Sequence, residues 1–271
     1  MEDYLRVNRA KWDELVELHA ASGFYDLDGF RRGRTSLRSL ELGEVGDVSG
    51  QRLLHLQCHF GLDTLSWARL GAAVTGVDFS PRAIELARSL AEELDIAARF
   101  VCADLYDLPE VLEGSFDIVY SSYGVLCWLA DLPRWAEIVA SFLVPGGRFH
   151  LVELHPFAGI LDDESEELAV RWPYFRRREP IRYDRQGTYA DRSAELEHTV
   201  SYSWPSPLGD VITSVSKAGL RVTSLREFPQ AGEQLLPRLR RDEDGWWRLP
   251  EGERDRLPLT YALRAVKPER L

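Results

Sequence analysis

Hydrophobic and polar positions between residues 53 and 80 predict a strand, a tight turn, a helix and a second strand. The segment LLHLQCHFGLDTLSWARLGAAVTGVDFS starts with a short apolar run, continues with a helical pattern, and closes with a second apolar run that ends at Asp78. Asp78 follows the turn by about twenty residues, the spacing of a nucleotide-type site at the edge of a parallel sheet. The turn is irregular, because Gln57 and His59 precede Gly61 where a dinucleotide-binding turn has three glycines.

The alternation of apolar runs and helical patterns continues beyond this unit. Ser80 followed by Pro81 predicts a helix with a hydroxyl N-cap and proline at its first position. Asp131 opens another predicted helix, which Pro145-Gly146-Gly147 ends. Further strands are predicted over 98–102, 116–122 and 148–154. Five strands separated by helices predict an α/β fold with a doubly wound, parallel sheet covered on both faces.

Three segments lie outside this regular core. Residues 3–20 predict an amphipathic helix, and residues 23–41 predict a loop or lid that leads into a short helix. A charged, aromatic and proline-rich stretch predicts an insertion over the carboxyl edge of the sheet. A helix ended by Gly219 and two closing strands, LRVTSLREF and LPLTYALRAVK, complete the chain. We therefore expect one structural domain with four parts. Residues 1–49 form an N-terminal helix and lid, and residues 50–156 form a cofactor-binding core. Residues 157–206 form a cover insertion, and residues 207–271 form the rest of the core sheet.

Composition narrows the class of partner. The formal net charge of −11 disfavours binding to nucleic acid or to anionic lipid. The cysteines Cys58, Cys102 and Cys127 lie within apolar runs and form no CxxC pair, so we expect buried thiols and neither a zinc site nor a disulfide framework. No run approaches the length of a membrane span, and the N-terminus does not have the pattern of a signal peptide, so we expect a cytoplasmic protein.

The ordered set LLHLQCHFG, VTGVDFS, CADLYDLP, FDIVYSS and LVPGGRFHLVE resembles the class I S-adenosylmethionine-dependent methyltransferases. The resemblance extends from about residue 50 to the C-terminus, and several weak motifs in the right order are more specific than any one of them. It implies a Rossmann-like, mostly parallel seven-stranded sheet whose last strand is antiparallel. It also implies S-adenosylmethionine as cofactor, S-adenosylhomocysteine as product and a metal-independent reaction.

The resemblance also implies roles for individual residues. The turn from Gln57 to Gly61 would wrap the methionine part of the cofactor, Asp78 would hold the ribose hydroxyls, and Phe79 would lie against the adenine. Asp104 would accept a hydrogen bond from the adenine amino group. The full set of expected cofactor-binding residues is Tyr25, Arg34, His55, Gln57, Cys58, His59, Gly61, Asp78, Phe79, Ser80, Ala103, Asp104, Leu105 and Ser121.

The first turn departs from the family pattern at three positions. The family usually has an acidic residue where His55 stands, and glycines at the positions of Gln57 and His59. The acid helps hold the ammonium group of the cofactor, so either a neutral His55 accepts that bond or Arg34 and Tyr25 hold the amino-acid end. Side chains in the turn would obstruct a pyrophosphate but not a sulfonium amino acid, which favours the methyl donor.

Residues for chemistry are expected after the fourth and fifth strands. His155 could accept a proton near neutral pH, with Glu153 on the same side of the extended chain to orient it, or could be a structural histidine. Tyr123 could hydrogen-bond an acceptor or form a wall of the pocket. Arginines and aromatics interleave in the insertion, where most of the arginines are expected on a solvated face and one or two could turn inward.

These patterns predict a methyltransferase that acts on a small-molecule acceptor by in-line transfer to O, N or C. The acceptor, the need for a general base and the oligomeric state stay open, a homodimer included. The alternatives are a nicotinamide-dependent oxidoreductase, disfavoured by the glycine-poor turn, and a protein that binds S-adenosylmethionine without catalysis.

Overall fold

The computed structural model describes residues 2–269 and contains a seven-stranded central sheet with two small hairpins. The strands are β1 Arg52–Leu56, β2 Ala73–Asp78, β3 Ala98–Cys102, β4 Phe116–Ser122, β5 Leu143–Leu154, β6 Ile181–Asp184, β7 Val200–Ser203, β8 Arg221–Phe228, β9 Arg240–Arg241, β10 Trp247–Arg248 and β11 Thr260–Val266. The order in the central sheet is β3-β2-β1-β4-β5-β11-β8. β1 to β5 pair in parallel, whereas β11 is antiparallel to both β5 and β8. The expected fold is confirmed.

Helices cover both faces of this sheet. They are α1 Glu2–Ala21, α2 Leu27–Arg31, α3 Ser39–Val45, α4 Leu62–Arg69, α5 Pro81–Glu93, α6 Leu108–Val111, α7 Leu132–Phe142 and α8 Leu208–Lys217. The Ser80 side chain accepts a hydrogen bond from the Ala83 N–H, and Asp131 caps α7 in the same way through Arg134, as the sequence predicts. Buried side chains from α7 and α8 pack on one face, around Trp135, Phe149 and Val215.

Several local predictions are wrong. The segment at 23–41 contains the helix α2, which Asp26 caps by accepting a hydrogen bond from the Gly29 N–H. Pro145-Gly146-Gly147 lies inside β5, where the register against β4 shifts, rather than at the end of α7. Cys102 is exposed, whereas Cys58 is buried as expected.

The segment between β5 and α8 folds back against the N-terminal helix. The hairpin β6–β7 belongs to it, and the side-chain amide of Asn8 on α1 pairs with the Tyr202 backbone on β7. The Asn8 amide nitrogen donates to the Tyr202 carbonyl and the Asn8 amide oxygen accepts from the Tyr202 N–H, both at 2.8 Å. The Lys11 ammonium donates to the Thr199 carbonyl at 2.8 Å. These bonds attach the cover insertion to α1.

None of the helices within residues 2–269 has the length and apolar character of a membrane span.

Candidate active site

The turn after β1 has a left-handed backbone at three positions. The φ angles of Gln57, His59 and Gly61 are 55°, 51° and 79°. Residues with a Cβ rarely adopt this conformation, which glycine reaches without steric cost. The turn therefore has a backbone suited to glycines, but two of the three positions also present a side chain. At Gly61 no larger residue fits, because a Cβ would lie 2.7 Å from the Phe100 ring.

Asp78 holds this turn from the end of the neighbouring strand. One carboxylate oxygen accepts a hydrogen bond from the His59 N–H at 2.8 Å, and the other accepts from the Ser80 N–H at 2.9 Å. Burial raises the pKa of Asp78 to about 6, although these backbone donors act in the opposite direction. Each oxygen keeps a free lone pair, so the carboxylate can still accept hydrogen bonds from a ligand.

Gln57 directs its side chain across the turn. Its amide nitrogen donates to the Val125 carbonyl at 3.0 Å, in the segment that follows β4. Its amide oxygen is buried and has no hydrogen-bond partner within residues 2–269. A buried acceptor without a donor is unfavourable unless a ligand supplies one, so this atom indicates a polar ligand at the turn.

Asp104 stands at the end of β3, beside the end of β2. Its carboxylate accepts from the Tyr106 N–H at 2.7 Å, and burial raises its pKa. The Ala103 N–H donates to the Asp78 carbonyl at 3.0 Å, which ties the two strand ends together. Phe79 is half-buried and lies beside the Arg9 guanidinium, 6.0 Å from the ring centre. Asp78, Phe79 and Asp104 are thus brought to one edge of the sheet.

The N-terminal helix and the insertion meet above the turn. His19 Nδ1 lies 3.0 Å from His59 Nε2, and His19 Nε2 lies 3.0 Å from the Thr188 hydroxyl. The Tyr25 ring stacks on His19 at 5.3 Å, and its hydroxyl is hydrogen-bonded to that of Tyr189. Burial lowers the pKa of His19 to about 4, so the His19 ring is neutral at pH 7. The sequence indicated His19 only as a buried helix position.

Two expected cofactor residues have polar groups already committed, the Arg34 guanidinium and one ring nitrogen of His55. Arg34 is ion-paired with Asp26 at 2.6 Å. The Arg34 carbonyl accepts a hydrogen bond from Arg69, in the last turn of α4 and so at the opposite end of that helix from Gly61. His55 Nδ1 is instead hydrogen-bonded to the Thr64 hydroxyl at 2.8 Å.

Burial lowers the pKa of His55 to about 3, which makes its ring neutral. Among the other expected cofactor residues, Cys58, Leu105 and Ser121 are buried, and the Ser121 hydroxyl has no partner among the described residues.

The expected partnership between Glu153 and His155 is wrong. The Glu153 carboxylate accepts hydrogen bonds from four backbone N–H groups, those of Gly124, Val125, Leu126 and Leu154. It therefore anchors the loop after β4 and is not directed at His155.

His155 is positioned by a different residue. The Phe157 N–H donates to His155 Nδ1 at 3.1 Å, so Nε2 carries the proton and donates to Glu227 at 2.8 Å. Both ring nitrogens are occupied, which supports the structural alternative for this histidine. The Tyr123 hydroxyl is buried and has no partner in the described chain.

A cavity of about 390 Å³ lies between the loop after β4, the end of β5 and the cover insertion. Its aromatic lining consists of Trp172, Tyr174, Tyr183, Trp204 and Tyr261. Polar groups are few, and Glu153 and His155 at its wall are already hydrogen-bonded. A volume and lining of this kind suit a small, largely apolar ligand.

Three arginines of the cover, Arg171, Arg182 and Arg185, are paired with acidic residues on its surface. Arg171 pairs with Asp162 at 2.9 Å, and Arg185 pairs with Asp163. Arg176 turns inward instead, because its guanidinium donates to the carbonyls of Leu129 and Pro205. The expectation of a mainly solvated face with an inward arginine agrees with these contacts.

The strand order, the antiparallel β11 and the carboxylates after β2 and β3 define the class I S-adenosylmethionine-dependent methyltransferase fold. Residues 54–151 match the family described as methyltransferase domain.

The ubiquinone biosynthesis O-methyltransferase of Xanthomonas oryzae pv. oryzae is 31% identical over 138 residues, which make up 50% of this chain and 57% of that protein. The chain thus spans just over half the length of the curated relatives it matches.

Solved structures extend the similarity to the whole fold. An S-adenosylmethionine-dependent methyltransferase from Mesorhizobium loti has a TM-score of 0.58 at 20% identity, over 83% of this chain and 94% of the other. DhpI, solved with S-adenosylhomocysteine, has a TM-score of 0.58 at 16% identity over the full length of both chains. The glycopeptide N-methyltransferase MtfA has a TM-score of 0.56 at 19% identity, over 93% and 97%. At these identities the likeness concerns the fold.

Proposed function

We propose that the protein is a methyltransferase that transfers the methyl group of S-adenosylmethionine to a small-molecule acceptor. The observation that carries the proposal is the arrangement of Asp78 and Asp104 at adjacent strand ends beside a left-handed turn. A carboxylate at the end of β2 can accept both ribose hydroxyls in charge-assisted hydrogen bonds. A second carboxylate at the end of β3 can accept from the adenine amino group.

The residues of the cleft fit this cofactor. Phe79 offers an aromatic face to the base, and the buried Leu105 lies beside Asp104. Ser121 provides a floor at the end of β4, and Tyr25 covers the turn from above. The unpartnered amide oxygen of Gln57 can accept a hydrogen bond from the amino-acid end. The bound cofactor would supply a positively charged sulfur as methyl donor, and the chain's own task is to align an acceptor and exclude water.

We place the acceptor in the aromatic cavity beneath the cover. The loop that Glu153 anchors borders both this cavity and the cofactor turn, since Val125 bonds Gln57 and Leu126 lines the cavity. The relatives named above are described as acting in ubiquinone biosynthesis or on a glycopeptide, which supports a metabolite as acceptor. The proposal includes transfer to O, N or C, a cytoplasmic location and no nucleic-acid partner, consistent with the net charge of −11.

The geometry argues against a nicotinamide cofactor. The pyrophosphate of a dinucleotide must approach the backbone of the first turn closely, which glycines permit. Here the Gln57 side chain extends from the turn to Val125 and occupies that approach.

Calorimetric titration of the purified protein with S-adenosylhomocysteine and with NADH tests the cofactor. We expect binding of the first and no response to the second. Tight binding of NADH with no response to S-adenosylhomocysteine would overturn the proposal. Incubation of a metabolite extract with methyl-labelled donor, followed by mass spectrometry, then tests catalysis. A labelled small molecule is expected, and cofactor binding without any labelled product would leave a binding protein instead of an enzyme.

A further inference from the structure

Two carboxylates, those of Asp63 and Glu41, form no ion pair within residues 2–269. Asp63 stands in the first turn of α4, two residues after Gly61. It accepts hydrogen bonds from the Ser36 hydroxyl at 2.6 Å and from the Ser122 hydroxyl at 3.4 Å. Glu41, in the first turn of α3, is 1% exposed, and one of its carboxylate oxygens has no hydrogen-bond partner among the described residues.

The two groups are close enough to influence each other electrostatically. Burial raises the pKa of Glu41 to about 7, and the charge of Asp63 adds to that effect. Burial also raises the pKa of Asp63. Arg38 is the cation that acts on both, but its guanidinium donates to the Gly232 carbonyl and stacks on Trp246. It forms no ion pair with either carboxylate within residues 2–269, so the pair has unmet capacity for positive charge.

Asp63 borders the turn after β1, because it lies two residues after Gly61 and contacts Ser122 at the end of β4. Its charge raises the pKa of Cys58 in the turn and of Tyr25 above it. Although burial dominates its own pKa, Asp63 retains accessible surface, as expected for a group at the floor of a cleft. Ser122, which it contacts, is the last residue of β4, at the carboxyl edge of the sheet.

Two further buried polar atoms lie in the turn after β1 and just after β4. The Gln57 amide oxygen and the Tyr123 hydroxyl are buried without partners in the described part of the chain. Tyr123 lies near the pair, because the charges of Glu41 and Asp63 both raise its pKa. The Tyr123 hydroxyl can donate to Glu41, which counteracts the rise in the Glu41 pKa, whereas the Gln57 amide oxygen needs a donor from outside the described residues. An ammonium group supplies three such donors and a positive charge.

We propose that Asp63, supported by Glu41, holds the ammonium group of the cofactor's methionine. This assigns to the first turn of α4 the role that an acidic residue has at the position of His55 in the family. It also explains how the site tolerates a neutral imidazole bonded to Thr64 at that position. The inference rests on the proposed function and identifies the residues that replace the missing acid.

The test compares two ligands that differ only in the ammonium group. S-adenosylhomocysteine and its analogue without the α-amino group are titrated calorimetrically into wild type, Asp63→Asn and Glu41→Gln. Loss of one charge-assisted hydrogen bond in Asp63→Asn is expected to weaken S-adenosylhomocysteine binding roughly 10- to 100-fold. The desamino analogue should bind wild type and Asp63→Asn about equally, and Glu41→Gln should give a smaller, similarly selective loss.

Asp117→Asn is the matched control, because Asp117 is ion-paired with Arg52 at the amino end of β4, away from the cleft. It should bind both ligands as wild type does. If Asp63→Asn does not fold, Ser36→Ala removes the hydroxyl that orients Asp63, and a selective severalfold loss is expected there.

The inference is overturned if the folded variants bind S-adenosylhomocysteine as tightly as wild type does, or lose affinity for both ligands equally. Failure of wild type to bind either ligand would instead refute the proposed function itself.

Discussion

Asp78 accepts a hydrogen bond from the backbone N–H of His59, so the end of β2 holds the turn that follows β1. The same carboxylate is the proposed partner of the ribose hydroxyls. On the proposed function, one side chain both shapes the turn and binds the ligand there.

Replacing Asp78 should affect both functions. Asp78→Asn removes the charge and turns one acceptor oxygen into a donor that faces a backbone N–H. We expect S-adenosylhomocysteine affinity to fall at least about tenfold, since a hydrogen bond to a charged group contributes about 1.5–3 kcal/mol. Calorimetry measures the effect. Unchanged affinity would remove Asp78 from the cofactor site.

The buried His55 side chain should make the free energy of unfolding depend on pH. Its folded-state pKa of about 3 lies below the unfolded value of 6.5, so its contribution is complete above pH 6.5 and is lost as the pH falls towards 3. Between pH 6.5 and pH 5 the loss should be about 2 kcal/mol. His55→Gln cannot be protonated and should lose correspondingly less. Urea unfolding of both proteins at pH 7.5 and 5.0 measures the difference, and equal losses would contradict the assignment.

Glu153 should matter for stability more than for proton transfer. Glu153→Gln places an amide N–H₂ against a cluster of backbone donors and leaves at least one of them unsatisfied. We expect unfolding to become easier by about 2–3 kcal/mol. Glu227→Gln is the control, because the Glu227 side chain is 51% exposed and its pairing with His155 should contribute less than about 1 kcal/mol. Urea denaturation distinguishes them, and a milder effect at position 153 than at 227 would refute the anchoring role.

The aromatic cavity should control the acceptor without affecting the cofactor. Gly159 lines it, and a Cβ at this position meets no heavy atom within 4 Å. We expect Gly159→Trp to raise KM for the acceptor while the affinity for S-adenosylhomocysteine stays unchanged. Gly209→Trp is the control, since Gly209 in α8 has equal space but lies outside the cavity lining. An unchanged KM in Gly159→Trp would place the acceptor elsewhere.

The elements of the sheet follow from local patterns. β3 and β4 have the predicted bounds, because buried parallel strands are apolar runs with polar breaks at both ends. The small hairpins were not predicted, and their strands have two to four residues. Strands of that length are positioned by tertiary contacts, such as the hydrogen bond between Asn8 and Tyr202. The spacing of apolar residues along the chain does not predict such contacts.

The site was predictable only where it depends on strand ends. Asp78 and Asp104 follow apolar runs, so topology alone places them together. The partners of Glu153 depend on which backbone donors fold onto it, and three of the four lie 27 to 29 residues earlier in the chain. The ion pair of Arg34 with Asp26 is local, but no helical or strand period predicts it. His19 and Asp63 gave no signal of their own, since each occupies an ordinary position in a helix and acquires its environment from residues distant in the chain.

The hydrogen bonds between α1 and the cover affect how ligands can leave the two parts of the proposed site. Since Asn8 pairs with β7 as a neighbouring strand would, the cover cannot lift from the aromatic cavity without pulling α1 from the cofactor turn or breaking that pairing. Both halves of the site would then be unsealed by one movement. On the proposed function, a cover that moves together with α1 would release the methylated product and the spent donor at one shared rate.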